Sequence, residues 1–469
     1  MQYSQCILAL SDASMGGVVL PTVISLSRTL ARLAIGLDKR PDLIAHLTRR
    51  ESVAGNEEAG ERVTLVESSA NVIREAFKKC LSERSGNAQG IDSNRKPEGK
   101  RIGIYLTANI CLKLFFHCKK IRNAEQIFGN IYQQSPPLAL FPAAQRVTFL
   151  YYLGRYLFAN NHFYRAELAL QAAYNQCHAR CLKQRRLILV YLITSNVVVG
   201  RFPSAQLLQR PEAEGLGDRF LPICHAIAKG DLATFRSLLS LDSANADWFL
   251  SRRILLQLRN RCETLVWRSL ARRTFLLSGT QGGAQGDGSQ RAPTLDLDDL
   301  LTLSIFLEQR TLRPEASLTN GNSLTDGSIH INSIFLVQNV SSSTTKMKKD
   351  TGGYIDPDLR GAVEPTGPDL PTMATTESVV SSLIEQGLLH GYISHRLLRF
   401  AIMGAKTRGA LQAGFPNVWE SIKGKANDEV PGWVKEEKNG AMAGGLARKI
   451  GPGMVVNLSG ARPAGAAPG

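Results

Sequence analysis

The sequence predicts an all-α fold with a small α/β part near its C-terminus. From residue 101 to about 280, amphipathic segments with the period of helices alternate with short turns such as QQSPP, GRFPS and KGD. No β alternation interrupts this array, which argues against the alternating strands and helices of a nucleotide-binding sheet. Further on, ESVVSSLIEQGLLHGYISH has the pattern of a helix, a glycine turn and an extended segment.

Polar and glycine-rich stretches divide the chain. SERSGNAQGIDSNRKPEGK and GTQGGAQGDGSQRAP contain few large apolar residues and therefore predict connections without a core. The predicted parts are an N-terminal helical region (1–83), a linker (84–100), helical repeats (101–280), a connector with the first helix of a C-terminal module (281–310), a disordered insertion (311–372), the rest of that module (373–404) and a flexible tail (405–469).

One helix pair follows tetratricopeptide-like spacing. Leu153 and Gly154 occupy the positions of a first helix, and Ala166, Leu170 and Ala173 fall on one face of a second helix. Small residues there let two helices approach closely, while the larger leucine fills the groove between them. His178 stands where the repeat usually has a proline, so the sequence predicts a degenerate repeat.

Length and charge limit the kinds of partner. The chain has 469 residues, enough for two or three domains of about 100 to 200 residues each. Its net charge of +16 and pI near 9.6 predict acidic partners, which include nucleic acid, an anionic membrane surface or an acidic protein. Charge alone does not choose among them, and the excess is equally consistent with a surface that is merely well solvated.

The N-terminus and the cysteines point to a soluble intracellular protein. The first residues lack the basic and continuous apolar regions of a signal peptide, and no stretch of about 18 uncharged apolar residues predicts a membrane span. The eight cysteines follow no disulfide spacing, and we expect reduced, buried thiols. Cys177, His178 and Cys181 lack a second ligand pair, which favours a helix surface over a zinc site.

No pattern of catalytic chemistry is present in the sequence. It contains no phosphate-binding GxxxxGK[ST], no GxGxxG after a strand, no HExxH, no GxSxG and no pair of CxxC motifs. The eight histidines are dispersed and are interpreted as partly buried polar groups at helix ends. We therefore expect a protein that is not an enzyme, with no cofactor, no metal and no small-molecule substrate.

Basic residues form two local clusters. The first has seven arginines and one acid, Glu263, and the second follows GYISH. Exposed arginines without partners usually meet an external anion, so both clusters predict phosphate contacts of RNA or DNA with little sequence preference. The alternative is that the arginines pair with carboxylates or cover apolar surface. The residues assigned to nucleic-acid binding are Arg252, Arg253, Arg272, Arg273, Arg396, Arg399, Lys406 and Arg408.

Several stretches together resemble a known family. They include LTANICLKLFFHCKKIRNAEQIF, QRVTFLYYLGRYLFANNHFYRAELALQAAYNQC, RRLILVYLITSNVVVGRFPSAQLL, HAIAKGDLATFRSLL and SLIEQGLLHGYISH. This series resembles the PCI-domain proteins of the transcription-and-export type, a family that includes the signalosome subunit-twelve-like proteins. The resemblance covers about half of the chain, and it implies TPR-like helical repeats followed by a C-terminal winged helix. The expected core of that winged helix is Leu383, Ile384, Leu388, Tyr392 and Ile393.

The resemblance also implies a function. A protein of this type would be a nuclear scaffold subunit, associated with the nuclear pore and with a possible cytoplasmic pool, that couples transcription to messenger-RNA export. Its expected partners are a large export scaffold subunit, a small acidic subunit of the proteasome-lid type, and RNA or DNA, with no membrane. The alternative is a protein-interaction subunit of a signalosome-like or proteasome-lid-like assembly that binds no nucleic acid.

Overall fold

Helices dominate the part of the chain that the computed structural model describes, which is residues 2–12, 16–43, 64–83, 91–92, 96–282, 292–312 and 371–425. All elements below belong to one unit, residues 1–426. The predicted insertion at 311–372 lies almost wholly outside the described residues, and the part of the predicted tail beyond residue 425 lies wholly outside them.

The N-terminal region contains α1 (Gln2–Leu10), α2 (Gly16–Asp38) and α3 (Leu65–Leu81). Thr64 caps α3, where its hydroxyl accepts a hydrogen bond from the Glu67 backbone N–H at 3.2 Å. The buried residues Ala70, Ile73 and Phe77 follow the helical period and place one face of α3 in the core.

Helix α2 has a composition that also suits a membrane span. It is long and apolar enough to cross a bilayer by length and composition alone, and it lies near the N-terminus. A core helix passes the same test, and Leu20, Val23 and Ala34 of α2 are buried inside the protein. Helix α2 packs against α1 and α3, and 33% of its most apolar stretch is buried inside the protein.

The predicted linker at 84–100 ends inside the folded unit. Lys100 is only 5% exposed, and its Nζ donates a hydrogen bond to the Asp12 carbonyl at 2.6 Å. Its backbone N–H donates to the Glu83 carboxylate at 2.5 Å. A buried lysine needs such acceptors because burial otherwise disfavours its charge. These contacts join the N-terminal region to the repeats that follow.

The repeats form an array of helices, several of which pack on their neighbours in the sequence. Short 3₁₀ turns lie at Pro41–Leu43, Gly99–Gly103, Leu138–Leu140 and Pro211–Ala213. The helices are α4 (Ile104–His117), α5 (Arg122–Gln134), α6 (Ala143–Ala159), α7 (Phe163–Gln176), α8 (Leu182–Val198), α9 (Ala205–Leu208), α10 (Gly217–Lys229), α11 (Leu232–Leu238), α12 (Ala246–Ser251) and α13 (Leu255–Ser278).

The α6–α7 pair contains the residues assigned to repeat packing. Ala166, Leu170 and Ala173 of α7 have no exposed surface, while Leu153 of α6 is half-buried. Gly154 of α6 lies so close to α7 that a Cβ at this position would be 2.5 Å from Cγ of Leu170. The leucine therefore occupies the space that the glycine leaves, and the two helices approach closely.

A small winged helix follows the array, and the predicted fold class is confirmed. It contains β1 (Thr294–Asp296), α14 (Leu297–Leu312), α15 (Met373–Glu385), β2 (Gly391–Ser394) and β3 (Arg399–Ile402). The three strands form an antiparallel sheet in the order β1-β3-β2. In the register, Asp296 lies opposite Arg399, and Ser394 lies opposite Arg399 on the other side. Phe400 in the central strand is fully buried.

The structure differs from the expectation of a flexible tail from residue 405. Residues 405–425 form α16 (Ala405–Arg408), α17 (Ala410–Gly414) and α18 (Val418–Lys425). Ala413 and Phe415 are buried, and the Phe415 and Phe275 rings lie 5.6 Å apart. Alanine, glycine and lysine dominate this stretch, but its few apolar side chains reach a core that other elements provide.

A buried ion pair between Arg185 and Glu212 connects α7, α8 and the turn before α10. Glu212 is 5% exposed; its carboxylate accepts hydrogen bonds from the Tyr174 hydroxyl at 2.6 Å and from Arg185 Nε at 2.9 Å. Burial alone would raise the pKa of Glu212, but these hydrogen bonds and the Arg185 charge lower it overall. The charged form is therefore the one that the fold stabilises.

Gly154→Ala tests the close helix approach. The new Cβ would lie 2.5 Å from Leu170 Cγ, and such overpacking costs about 1 to 3 kcal/mol. Gly129→Ala on α5 is the matched control, because a Cβ there meets nothing within 4 Å; helix propensity should make it more stable by about 0.5 to 1 kcal/mol. Urea unfolding followed by circular dichroism measures both. Equal shifts of the two midpoints would contradict the packing described.

Glu212→Gln tests the buried pair. Removing its charge leaves Arg185 without its carboxylate, and breaking a buried pair costs about 3 kcal/mol. Because the folded pKa of Glu212 is lowered, its contribution is present above the unfolded pKa of about 4.3 and is lost as the pH falls further. Acid unfolding should therefore depend less on pH in this variant than in the exposed neighbour control Glu214→Gln. An unchanged acid transition would contradict the role of Glu212.

Candidate functional site

The surfaces available for binding lie around α13 and the winged helix, and Arg268 of α13 joins the two. Its Nε donates to the Leu388 carbonyl at 3.3 Å, and its Nη2 donates to the carbonyls of Phe415 and Pro416 at 3.1 and 2.5 Å. Burial, with a smaller effect of Arg272, lowers the pKa of Arg268 to about 10. The guanidinium is therefore charged at neutral pH and binds backbone oxygens inside the protein.

A second arginine, Arg236, connects the helical array to α14, the first helix of the winged helix. Arg236 of α11 donates to the carboxylates of Glu263 on α13 and Glu308 on α14, with an Nε–Oε1 distance of 3.1 Å to Glu263. Glu263 is the one acid within the first basic cluster of the sequence. Because Glu263 forms an ion pair with Arg236, its charge does not neutralise the arginines beside Glu263 on α13.

The predicted residues Arg272 and Arg273 lie on the exposed side of α13. Together with Arg268, Leu276 and Leu277 they line an open cleft of about 570 Å³. Leu277 is 81% exposed and Leu276 is 48% exposed. Arginines beside exposed leucines suit an acidic partner segment with apolar side chains better than a bare phosphate backbone.

The predicted residues Arg252 and Arg253 precede α13 and differ in their surroundings. Arg252 is half-buried; its guanidinium carbon lies 4.0 Å from the Trp248 ring, and its Nη1 donates to the Trp248 carbonyl at 3.0 Å. Burial lowers the pKa of Arg252. Arg253 is exposed and has a φ of 57°. Arg252 therefore packs on an aromatic ring, which is the alternative that the sequence left open.

The wing places Arg396 and Arg399 differently. Arg399 Nε donates to Oδ2 of Asp296 across the β1–β3 pair at 3.3 Å. Oδ1 of the same aspartate accepts the Asp298 backbone N–H at 3.2 Å and so caps the start of α14. Arg396 is exposed in the turn between β2 and β3. Arg399 therefore pairs with a carboxylate, which is the alternative that the sequence left open.

The eight predicted basic residues do not form one surface element. Lys406 and Arg408 are exposed on the short helix α16. The structure brings Arg272 and Arg273 together at the cleft, while the others lie before α13, in the wing and on α16.

The predicted winged-helix core is correct at some positions and needs one correction. Leu383 and Leu388 are buried, and Ile384 and Ile393 are half-buried. Tyr392 is 55% exposed and is not a core residue. Successive side chains of a strand point to opposite faces, so β2 cannot bury Tyr392 together with its neighbours on both sides. Its ring is a surface feature of the wing.

Sequence reasoning missed the role of the FPNVWESI segment, which it placed in a tail. Val418 packs so tightly against Gly200 that a Cβ there would be 2.5 Å from Val418 Cγ1. The Trp419 ring lies 5.2 Å from the Tyr164 ring and 4.6 Å from the Arg201 guanidinium carbon. The signal was a tryptophan and a phenylalanine in an otherwise Ala-, Gly- and Lys-rich stretch, since such side chains bury large areas.

The thiols and metal ligands offer no chemical site within the described residues. All eight cysteines are free, and burial raises the pKa of Cys80 and of Cys224 to about 12. Cys181 is exposed, contrary to the expectation that the cysteines are buried. In the part of the chain that the structure describes, no group of three His, Cys, Asp or Glu residues could hold a metal ion.

Comparisons with known proteins give a consistent set of relatives. The chain is 31% identical over 287 residues to a PCI domain-containing protein of Schizosaccharomyces pombe, covering 61% of this chain and 59% of that protein. It is 31% identical over 219 residues to a CSN12 homolog of Neurospora crassa, covering 46% and 45%, and 26% identical over 216 residues to PCI domain-containing protein 2 of Danio rerio, covering 46% and 50%. The chain spans about half the length of these curated relatives. No protein-family model matches it.

Arg268→Gln tests the connection between the repeats and the winged helix. The variant loses charged donors to three carbonyls, and we expect the free energy of unfolding to fall by about 3 kcal/mol. Arg272→Gln, an exposed arginine one turn later, should change it by less than about 0.5 kcal/mol. Urea unfolding measures both, and limited proteolysis should cut Arg268→Gln faster near residue 416. Identical cleavage of both variants would contradict the connection.

Proposed function

We propose that this chain, which is related to PCI domain-containing proteins and to CSN12 homologs, is a protein-interaction subunit of a signalosome-like assembly. The observation that carries the proposal is the open edge of the winged-helix sheet. The proposed role is that of a scaffold without catalytic activity. A nuclear location stays a prediction from the resemblance.

The open edge is strand β2. It lies at one side of the order β1-β3-β2 and, among the described residues, pairs only with β3. An edge strand presents backbone N–H and C=O groups that can pair with a strand of another chain. Proteins that stay monomeric usually block such an edge. Among the described residues no strand covers the outer side of β2, which supports assembly with another subunit.

Exposed apolar side chains surround this edge. Tyr392 of β2 is 55% exposed and Leu397 in the following turn is 62% exposed. Met403, just after β3, is 45% exposed. Tyrosine and methionine are enriched at protein interfaces, where they supply contact area that polar residues do not. These residues and β2 together are called the wing surface.

The sequence favoured messenger-RNA export with nucleic-acid contacts as the leading function, and this finer reading has less support. The names of the three relatives reported above do not mention RNA export, whereas a CSN12 homolog is among them. Arg252 and Arg399 contact groups within the protein. A salt titration of RNA binding decides whether the exposed arginines contribute phosphate contacts, because such contacts weaken steeply with salt.

Substitutions in the wing surface test the proposal. We expect Tyr392→Ser combined with Leu397→Ser to reduce recovery of co-purifying subunits by about 10-fold, since one or two central apolar residues often carry much of the binding energy. Leu241→Ser is the matched control, because Leu241 is 66% exposed in the loop between α11 and α12. The measurement is tagging in the native cell, mild purification with nuclease treatment, and mass spectrometry.

The outcomes separate the two functions. Signalosome-like subunits recovered by wild type and control, but lost from the double variant, would support the proposal. Equal recovery by all three proteins would reject the wing surface as the interface. Recovery of export-complex subunits instead, with binding of RNA that Arg396→Glu weakens, would favour the export function.

A further inference from the structure

Three arginines converge beside the turn before α10. Arg186 Nη1 donates to the carbonyls of Glu212 and Glu214 at 3.2 and 2.6 Å. Arg219 Nη1 donates to the next carbonyl, that of Gly215, at 2.8 Å. Because these acceptors all lie between residues 212 and 215, both arginine side chains contact the same short segment.

The third arginine, Arg252, contacts the same Trp248 ring as Arg219. The guanidinium carbons of Arg219 and Arg252 lie 4.8 and 4.0 Å from that ring. The position of Arg252 is supported by a hydrogen bond from the Tyr191 hydroxyl to its carbonyl at 3.0 Å. Arg186, Arg219 and Arg252 are called the arginine triad. Arginines of α8 and α10 and the residue that follows α12 thus lie in one region of the protein.

The protein does not neutralise this charge within the described residues. No described carboxylate forms an ion pair with the triad, and the nearby carboxylate of Glu212 is held by Arg185 and Tyr174. Nε of Arg219 is buried and has no hydrogen-bond partner. Burial lowers the pKa of Arg252, and the charges of Arg219 and Arg186 lower it further. Three like charges at close range are costly unless an anion joins them.

We propose that the arginine triad binds the phosphate group of a phosphorylated serine or threonine in a partner protein. Such a group carries a charge of about −1.5 to −2 at neutral pH and three strong acceptor oxygens. Guanidinium groups match phosphate oxygens with paired N–H donors. One dianion therefore fits a cluster of three cations that no described carboxylate neutralises. This site is separate from the wing surface and does not depend on the proposed function.

A nucleic acid fits the triad less well. Its phosphates carry one charge each and are spaced along the strand. Such phosphates suit cations arranged in a line better than a compact cluster of cations. Binding of single strands also uses exposed aromatic rings on which bases stack. The Trp248 ring already contacts two guanidinium groups and lies 6.1 and 5.1 Å from the rings of Phe220 and Phe249. Little of it is left for a base.

The test uses the full chain and a mixture of labelled peptides with random sequence around one central phosphoserine. We expect fluorescence anisotropy to show at least 10-fold tighter binding than for the same mixture with serine, and inorganic phosphate to compete. Arg219→Gln should abolish that preference. Arg259→Gln, an exposed arginine on α13, should retain it. Circular dichroism checks the fold, and Arg186→Gln replaces Arg219→Gln if the latter unfolds.

Two results would overturn the proposal. The first is a failure of the triad to select phosphorylated peptides, seen either as equal affinity for phosphorylated and unphosphorylated peptides or as a preference that survives substitution of the triad. The second is binding of a single-stranded RNA oligonucleotide that Arg219→Gln abolishes, without any preference for phosphopeptides, which would assign the triad to nucleic acid.

Discussion

The packing of the described elements from α13 to α18 depends on one guanidinium group, that of Arg268. It donates to carbonyls of the turn after α15 and of the segment that precedes α18. A single side chain on α13 thereby connects three parts that are distant in sequence. An arginine suits this position because its planar fork offers several donors at fixed angles and stays charged when partly buried. The orientation of the winged helix on the repeats follows from it.

Two further contacts reinforce that orientation. Arg236 connects α11, α13 and α14 through Glu263 and Glu308, and α18 returns to the repeats through Val418 and Trp419. The chain thus forms a closed path from the repeats through the winged helix and back. As a result the wing surface has a defined position relative to the helical array. A partner that binds the wing surface and the array together would meet a preorganised protein.

The basic excess of the chain serves more than one purpose. Arg268 and Arg399 bind acceptors inside the protein, and Arg272 and Arg273 line a cleft with exposed leucines. The arginine triad contacts Trp248 and the segment 212–215. The sequence shows where the basic residues cluster. It does not predict which of these arginines bind groups inside the protein and which stay exposed. That difference depends on Asp296, Trp248 and backbone carbonyls, which come from distant parts of the chain and have no signal in local spacing.

The sequence by itself determined the helical class, the close approach of Gly154 to Leu170 and the helix-turn-strand order around Gly387, because helical period, small residues and turn glycines act over a few neighbouring residues. Tertiary structure alone decided that Tyr392 is exposed, that Arg268 binds distant backbone carbonyls and that residues 405–425 pack as helices. Each of these depends on which distant surface a side chain meets. Local composition carries no information on that partner, so the fold class was predictable and the binding surfaces were not.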